Sequence, residues 1–155
     1  MKRSEIRKFR QDLRRFERLV ASQLKGSSCC SGVTLAQCHV LLEIEARASL
    51  SLSELAQALS LDKSTLSRTV DGMVNIGLVE RSPHPKDRRS TQLSLTSQGQ
   101  STSIRINADN DRLFNKVLER IESDGRQAVL EGLHELVGAM EAEIAGGCAT
   151  CATAE

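Results

Sequence analysis

Two sets of residues in this 155-residue chain have the types and spacing to do chemistry. The first is five cysteines. Cys29 and Cys30 are adjacent, Cys38 follows eight residues after Cys30 with His39 beside it, and Cys148 and Cys151 form a Cys-x-x-Cys. Thiolates favour Zn(II), Cu(I) and trivalent metalloids. Cys29, Cys30 and Cys38 could supply a trigonal sulfur set that the Cys148–Cys151 pair completes within one chain or between two. Redox sensing is the rival chemistry, because exposed vicinal thiols oxidise. It would need a nearby cation to stabilise the thiolate, and Lys25 is the one close in sequence to the first pair. Cys38 also has a packing reading: four positions into a helix capped by Thr34, it can meet Val33 as a hydrophobic staple. His39 alone reads more simply as a surface or core histidine than as a ligand.

The second set is hydroxyls and cations: Lys63, Ser64, Thr65, Ser67 and Arg68, then Lys86, Asp87, Arg88 and Arg89. On a helix, the first group could contact base edges and phosphates in a major groove about 12 Å wide. Arg68 is the expected base contact, against a competing reading in which it pairs with Asp71 or Glu80. On a loop tip stiffened by Pro83 and Pro85, the second group could place a guanidinium in a narrow minor groove. Asp87 would be a poor phosphate contact and reads as an internal partner orienting Arg89 or closing the turn.

The elements that must hold these residues follow from pattern. Ile6, Phe9, Leu13, Phe16 and Val20 form one helical stripe, predicting a first helix to about Leu24, with residues 25–32 as a Gly- and Ser-rich loop carrying Cys29 and Cys30. Thr34 and Gln37 form a capping box opening a second helix to about Ala46. Ser51 and Glu54 repeat the device for a short third helix ending near Leu59, with Leu50 stapled onto Leu55. Asp62 caps a fourth, with Leu61 and Leu66 as its staple and Leu66, Val70 and Met73 facing inward. Gly77 ends that helix, and residues 78–81 and 92–95 alternate as a hairpin. Two helices remain, about 96–121 and 123–145. Ile104, Leu113, Val117, Leu118 and Ile121 line the first, and Val129, Leu130, Leu133, Leu136, Val137, Met140 and Ile144 the second. The fold class is mainly α with a small β-hairpin wing, a winged helix-turn-helix ordered helix-helix-helix-helix-strand-strand-helix-helix.

Length and composition bound the rest. The chain suits one folding unit, and 21 Lys+Arg against 20 Asp+Glu leave a net charge of +1, so nucleic-acid affinity must come from where the cations sit. Residues 1–25 hold nine of them against three acids. No apolar run approaches membrane-spanning length, no signal peptide is evident, and five cysteines suit reduced thiols, so a soluble, cytoplasmic protein with no membrane partner is expected. With no Trp or Tyr and three Phe, a single-strand stacking platform is excluded. An enzyme is not expected. A thiol oxidoreductase built on Cys148 and Cys151 would want a strand-helix-strand unit around them, which the pattern lacks. A winged helix kept for protein contacts alone is the remaining alternative.

Leu55-Ala56, the run from Ser64 to Arg68, Gly77-Leu78-Val79-Glu80-Arg81, Asp87-Arg88-Arg89, and Leu93-Ser94-Leu95-Thr96 followed by Gly99 resemble the MarR family of bacterial transcription regulators. The resemblance implies a homodimer whose first and last two helices interlock. It implies one reading helix and one wing per subunit on double-stranded DNA bearing a pseudo-palindromic operator. On that pattern residues 1–33 and 97–145 are dimerisation helices, 34–96 the DNA-binding winged helix-turn-helix, and 146–155 a mobile cysteine-containing tail. The expected function is a sequence-specific regulator, a repressor, needing no cofactor to bind DNA. Its affinity is expected to respond to a thiophilic metal or metalloid at Cys29, Cys30, Cys38, Cys148 and Cys151. The alternative is the same scaffold sensing an oxidant or a small aromatic ligand.

Overall fold

A computed structural model describes the backbone of residues 1–30, 32–83 and 91–145, and the side chains of residues 1–24, 32–83 and 91–144. The elements are α1 (Arg3–Cys30), α2 (Leu35–Arg47), β1 (Ser49–Ser51), α3 (Leu52–Ala58), α4 (Lys63–Asn75), β2 (Val79–Pro83), β3 (Thr91–Leu95), α5 (Ser97–Leu118) and α6 (Ser123–Ala145). They fall into two compact units, residues 1–111 and 112–155. The tail expected to be mobile, residues 146–155, lies outside the described residues.

In the first unit the helix starts are locally encoded. Thr34 Oγ1 accepts from the Gln37 backbone N–H at 3.2 Å while Gln37 Oε1 accepts from the Thr34 N–H at 2.8 Å. Ser51 and Glu54 reproduce the pair at 3.2 and 2.8 Å. Each reciprocal pair satisfies two donors that a helix amino terminus would otherwise leave unpaired.

Two expectations need correction. Residues 25–30 are not loop, because α1 continues through Cys30. One interior glycine, Gly26, costs a helix only about 1 kcal/mol relative to alanine, too little to end a long run. The reversal instead follows at Gly32, whose φ of +73° suits a residue without a Cβ. The wing sheet, moreover, has three strands rather than two. β1 pairs antiparallel with β3, Leu50 opposite Leu93, and the order is β1-β3-β2, with Val79 opposite Leu95 and Pro83 opposite Thr91. Three residues overlapping a capping box carry too little alternation to announce a strand.

The core gathers α2, α3, α4, the sheet and the start of α5: Leu41, Ile44, Leu55, Leu66, Val70 and Met73 are fully buried, with Leu93 and Ile106 nearly so. Each such side chain contributes roughly 1.5–3 kcal/mol of burial. Leu50 is buried along with Leu55, whereas Leu61 stays 43% exposed beside buried Leu66. On α5 the buried face is Gly99, Thr102, Ser103 and Ile106, and the first three are small enough to let the helix approach closely. A Cβ at Gly99 would lie 2.0 Å from the Leu78 carbonyl oxygen, so only glycine fits there. Thr96 fixes the same junction, its Oγ1 donating to the Gly77 carbonyl at 2.6 Å and accepting from the Gly99 N–H at 3.0 Å.

In the second unit, Arg126 sits near the start of α6 and closes the end of α5. Its Nε donates to the carbonyls of Leu118 (3.0 Å) and Ile121 (2.9 Å), and Nη2 to that of Glu119 (3.2 Å). These are carbonyls that a helix end leaves without intrahelical partners. No described residue of α6 is buried, and Val129, Leu130, Leu133, Val137 and Met140 remain 45–48% exposed.

Candidate nucleic-acid interface

Helix α3 ends in a turn through Ser60, at φ +52°, and Asp62 then caps α4. Asp62 Oδ1 accepts from the Thr65 backbone N–H at 2.8 Å and from the Ser64 hydroxyl at 2.6 Å. The Ser64 hydroxyl first, and Thr65 after it, hold the Asp62 carboxyl far below the ordinary carboxylate range. Asp62 is therefore an anion at any physiological pH, stabilising the positive end of α4. Because Ser64 spends its proton on Asp62, its lone pairs are what remain for a base amino group such as cytosine N4 or adenine N6.

With Leu66, Val70 and Met73 turned into the core, Lys63, Ser64, Thr65 and Arg68 are exposed and Ser67 is half-buried, so the five residues singled out from sequence share the outer surface of α4's amino-terminal half. Neither carboxylate that could pair with Arg68 does so. Asp71 pairs with Arg81 of β2 at 2.7 Å, and Glu80 Oε1 accepts from the Ser94 hydroxyl at 3.2 Å. Among the described residues Arg68 has no ion-pair partner. Sequence reasoning missed the Asp71–Arg81 pair, which ties the reading helix to the wing strand. Ten residues apart on a helix and the strand after it, the two could have been matched by charge.

The wing tip bearing Lys86, Asp87, Arg88 and Arg89 lies outside the described residues, between strand ends paired at Pro83 and Thr91. Of the cysteines, Cys29 and Cys30 are the last two residues of α1, with side chains outside the description, and Cys148 and Cys151 are also outside it. Cys38 is 2% exposed in the core, at the staple position with buried Val33, while His39 is exposed. Among the described residues no group of three His, Cys, Asp or Glu is arranged to hold a metal ion. A cavity of about 310 Å³ is lined by Val33, Ile76 and Leu78 together with the polar side chains of Gln98, Thr102 and Arg105. No described helix is long and apolar enough to cross a membrane.

The MarR family model matches residues 33–91, the segment holding α2 through the wing. The HTH-type transcriptional regulator BilQ of Clostridium symbiosum is 26% identical over 113 residues, covering 73% of this chain and 78% of BilQ. A mutant MarR from Escherichia coli, solved in complex with operator DNA, is 28% identical and superposes with a TM-score of 0.72 over 86% of this chain and 95% of that one. The reduced form of E. coli MarR is 30% identical over 81% and 95% of the two chains, with a TM-score of 0.65. These relatives are transcription regulators rather than enzymes. The winged core, the reading helix and the sequence identity along nearly the whole of a solved MarR chain lead to one conclusion: the chain belongs to the MarR family of winged-helix transcriptional regulators.

Proposed function

We propose that this chain represses transcription as a homodimer, binding a pseudo-palindromic operator with α4 in the major groove and the β2–β3 tip in the minor groove. The observation that carries it is the outer face of α4: Arg68 is exposed and has no ion-pair partner among the described residues, leaving its guanidinium available for a guanine edge. The half-exposed apolar faces of α1 and α6 support the dimer, since aliphatic stripes of that length want a covering surface. The relative solved on operator DNA supports the partner. The test is to enrich the bound duplex from a random library and titrate it with Arg68→Ala. Discrimination against a scrambled duplex should fall by about 1–3 kcal/mol with folding intact. Unchanged discrimination would remove Arg68 as the reader, and duplex binding absent from the wild type would return the fold to protein contacts alone.

We further propose that a thiophilic metal or metalloid modulates the affinity through Cys29, Cys30, Cys148 and Cys151. Cys38 would join only if the first turn of α2 opens, since its thiol is enclosed. Metal content after anaerobic purification, then DNA titration with and without the ion, tests it. Equal affinity in both arms overturns it. The observation favouring a second reading, a small aromatic effector, is the cavity of about 310 Å³ lined by Val33, Ile76, Leu78, Gln98, Thr102 and Arg105, which offers a site for it. Under that reading the response survives Cys-to-Ser substitution.

A further inference from the structure

We infer that the outer face of α1 is a second, sequence-independent DNA surface, gripping duplex phosphates; this rests on the DNA-binding reading above. Arg3, Arg7, Arg10, Arg14 and Arg18 recur at steps of four, three, four and four residues along one continuous helix. At about 100° and 1.5 Å per residue they occupy an arc of about 80° and run about 22 Å. Arg15 and Lys8 lie about 60° and about 80° beyond the stripe, Glu5 and Asp12 fall on the far side of the helix, and Glu17 marks the stripe's other edge.

A face that only keeps a helix soluble usually mixes signs, setting acids four residues from bases. Along the stripe the four-residue steps join arginine to arginine, from Arg3 to Arg7 and from Arg10 through Arg14 to Arg18, while the one base–acid step of four, Lys8 to Asp12, lies off it and Glu17 is three residues from Arg14. Like charges at that spacing repel. All five are exposed, and none has an ion-pair partner among the described residues. A bound polyanion removes the repulsion, and arginine is the side chain whose planar fork matches phosphate. Duplex DNA offers one phosphate per about 1.7 Å of axis, so the stripe faces a length carrying about 13 of them.

An anionic lipid surface offers the same charge, but a helix lying in a bilayer interface must also insert its apolar side. On α1 that side holds Ile6, Phe9 and Phe16, exposed in the single chain, and the second copy of the proposed dimer would cover it. The chain's net charge of +1 makes the stripe a local device rather than a by-product of a basic protein.

The test compares four full-length proteins: wild type, Arg68→Ala, all five stripe arginines changed to Gln, and all five changed to Lys. Each is titrated on operator and scrambled duplexes between about 50 and about 200 mM salt. The Gln protein should bind scrambled duplex at least tenfold more weakly at low salt. Its log K against log salt should be shallower by at least about 3, at about 0.9 per lost phosphate contact. Its preference for operator over scrambled duplex should persist, and the Lys protein should keep the wild-type slope. If the fivefold Gln protein misfolds by circular dichroism, Arg7→Gln with Arg14→Gln replaces it, with an expected slope change of about 2. A wild-type slope in the Gln protein overturns the inference, as does loss of binding to phosphatidylserine vesicles with DNA binding unchanged. If Arg68→Ala loses discrimination while the Gln protein keeps its slope, the α1 surface fails alone. Wild type that binds neither duplex sinks the DNA reading with it.

Discussion

The winged segment and α6 use the same aliphatic residues at the same helical spacing, yet reach opposite states. Leu55, Leu66 and Met73 are fully buried, whereas Leu130, Leu133 and Met140 keep 45–48% of their surface exposed. Three short helices and a three-stranded sheet approach the first set from several directions. A long helix cannot cover its own stripe, however regular. The winged segment therefore carries its own core, and α6 depends on a surface brought to it, which the proposed second copy would supply.

The largest expected effect lies in the closed core. Leu66→Ala should cost about 3–5 kcal/mol in chemical denaturation, at any protein concentration. Gly99→Ala should follow at about 3 kcal/mol, because a methyl group 2.0 Å from the Leu78 carbonyl pushes α5 off the wing; a neutral effect would mean that this contact gives way freely. Leu133→Ala sharpens the contrast most. It should lower stability by an amount that grows with protein concentration and shrinks below about 1 kcal/mol on dilution, as for a residue buried between copies. A concentration-independent loss equal to that of Leu66→Ala would break the comparison. Ser51→Ala should cost about 1 kcal/mol by unmaking one capping box, read as a shift in urea midpoint.

The smallest effect is pH dependence at Asp62. Its folded-state pKa is depressed, chiefly by the Ser64 hydroxyl, so its contribution is present above the unfolded carboxylate value and fades as pH falls below about 4. Asp62→Asn keeps a cap but removes the charge, so its melting temperature should fall less than the wild type's between about pH 5 and pH 3. Parallel curves would assign the acid sensitivity to other carboxylates.

Much of the site was legible because its devices are short. Thr34 with Gln37, Ser51 with Glu54 and Asp62 with Thr65 each act across three residues, so helix starts could be read directly and the reading face of α4 followed from the spacing of Leu66, Val70 and Met73. The end of α1 was misplaced because Gly26 and the small residues after it weaken a helix without ending it. Ile106, rather than Ile104, faces the core, since α5 packs through Gly99, Thr102 and Ser103. Apolar spacing alone does not register such a face of small residues.

The sequence by itself determined the caps and the residues on α4's outer face, set by neighbours within a few positions, and the wing hairpin, set by two alternating segments around a turn. Only the tertiary structure decided that Ser49–Ser51 is a strand, that Cys38 is enclosed, that Asp71 belongs to Arg81 rather than Arg68, and that Gly99 must be glycine. Each of those depends on a group distant in the chain and brought close by packing: β3 for Ser49–Ser51, the core for Cys38, β2 for Asp71, and the Leu78 carbonyl for Gly99.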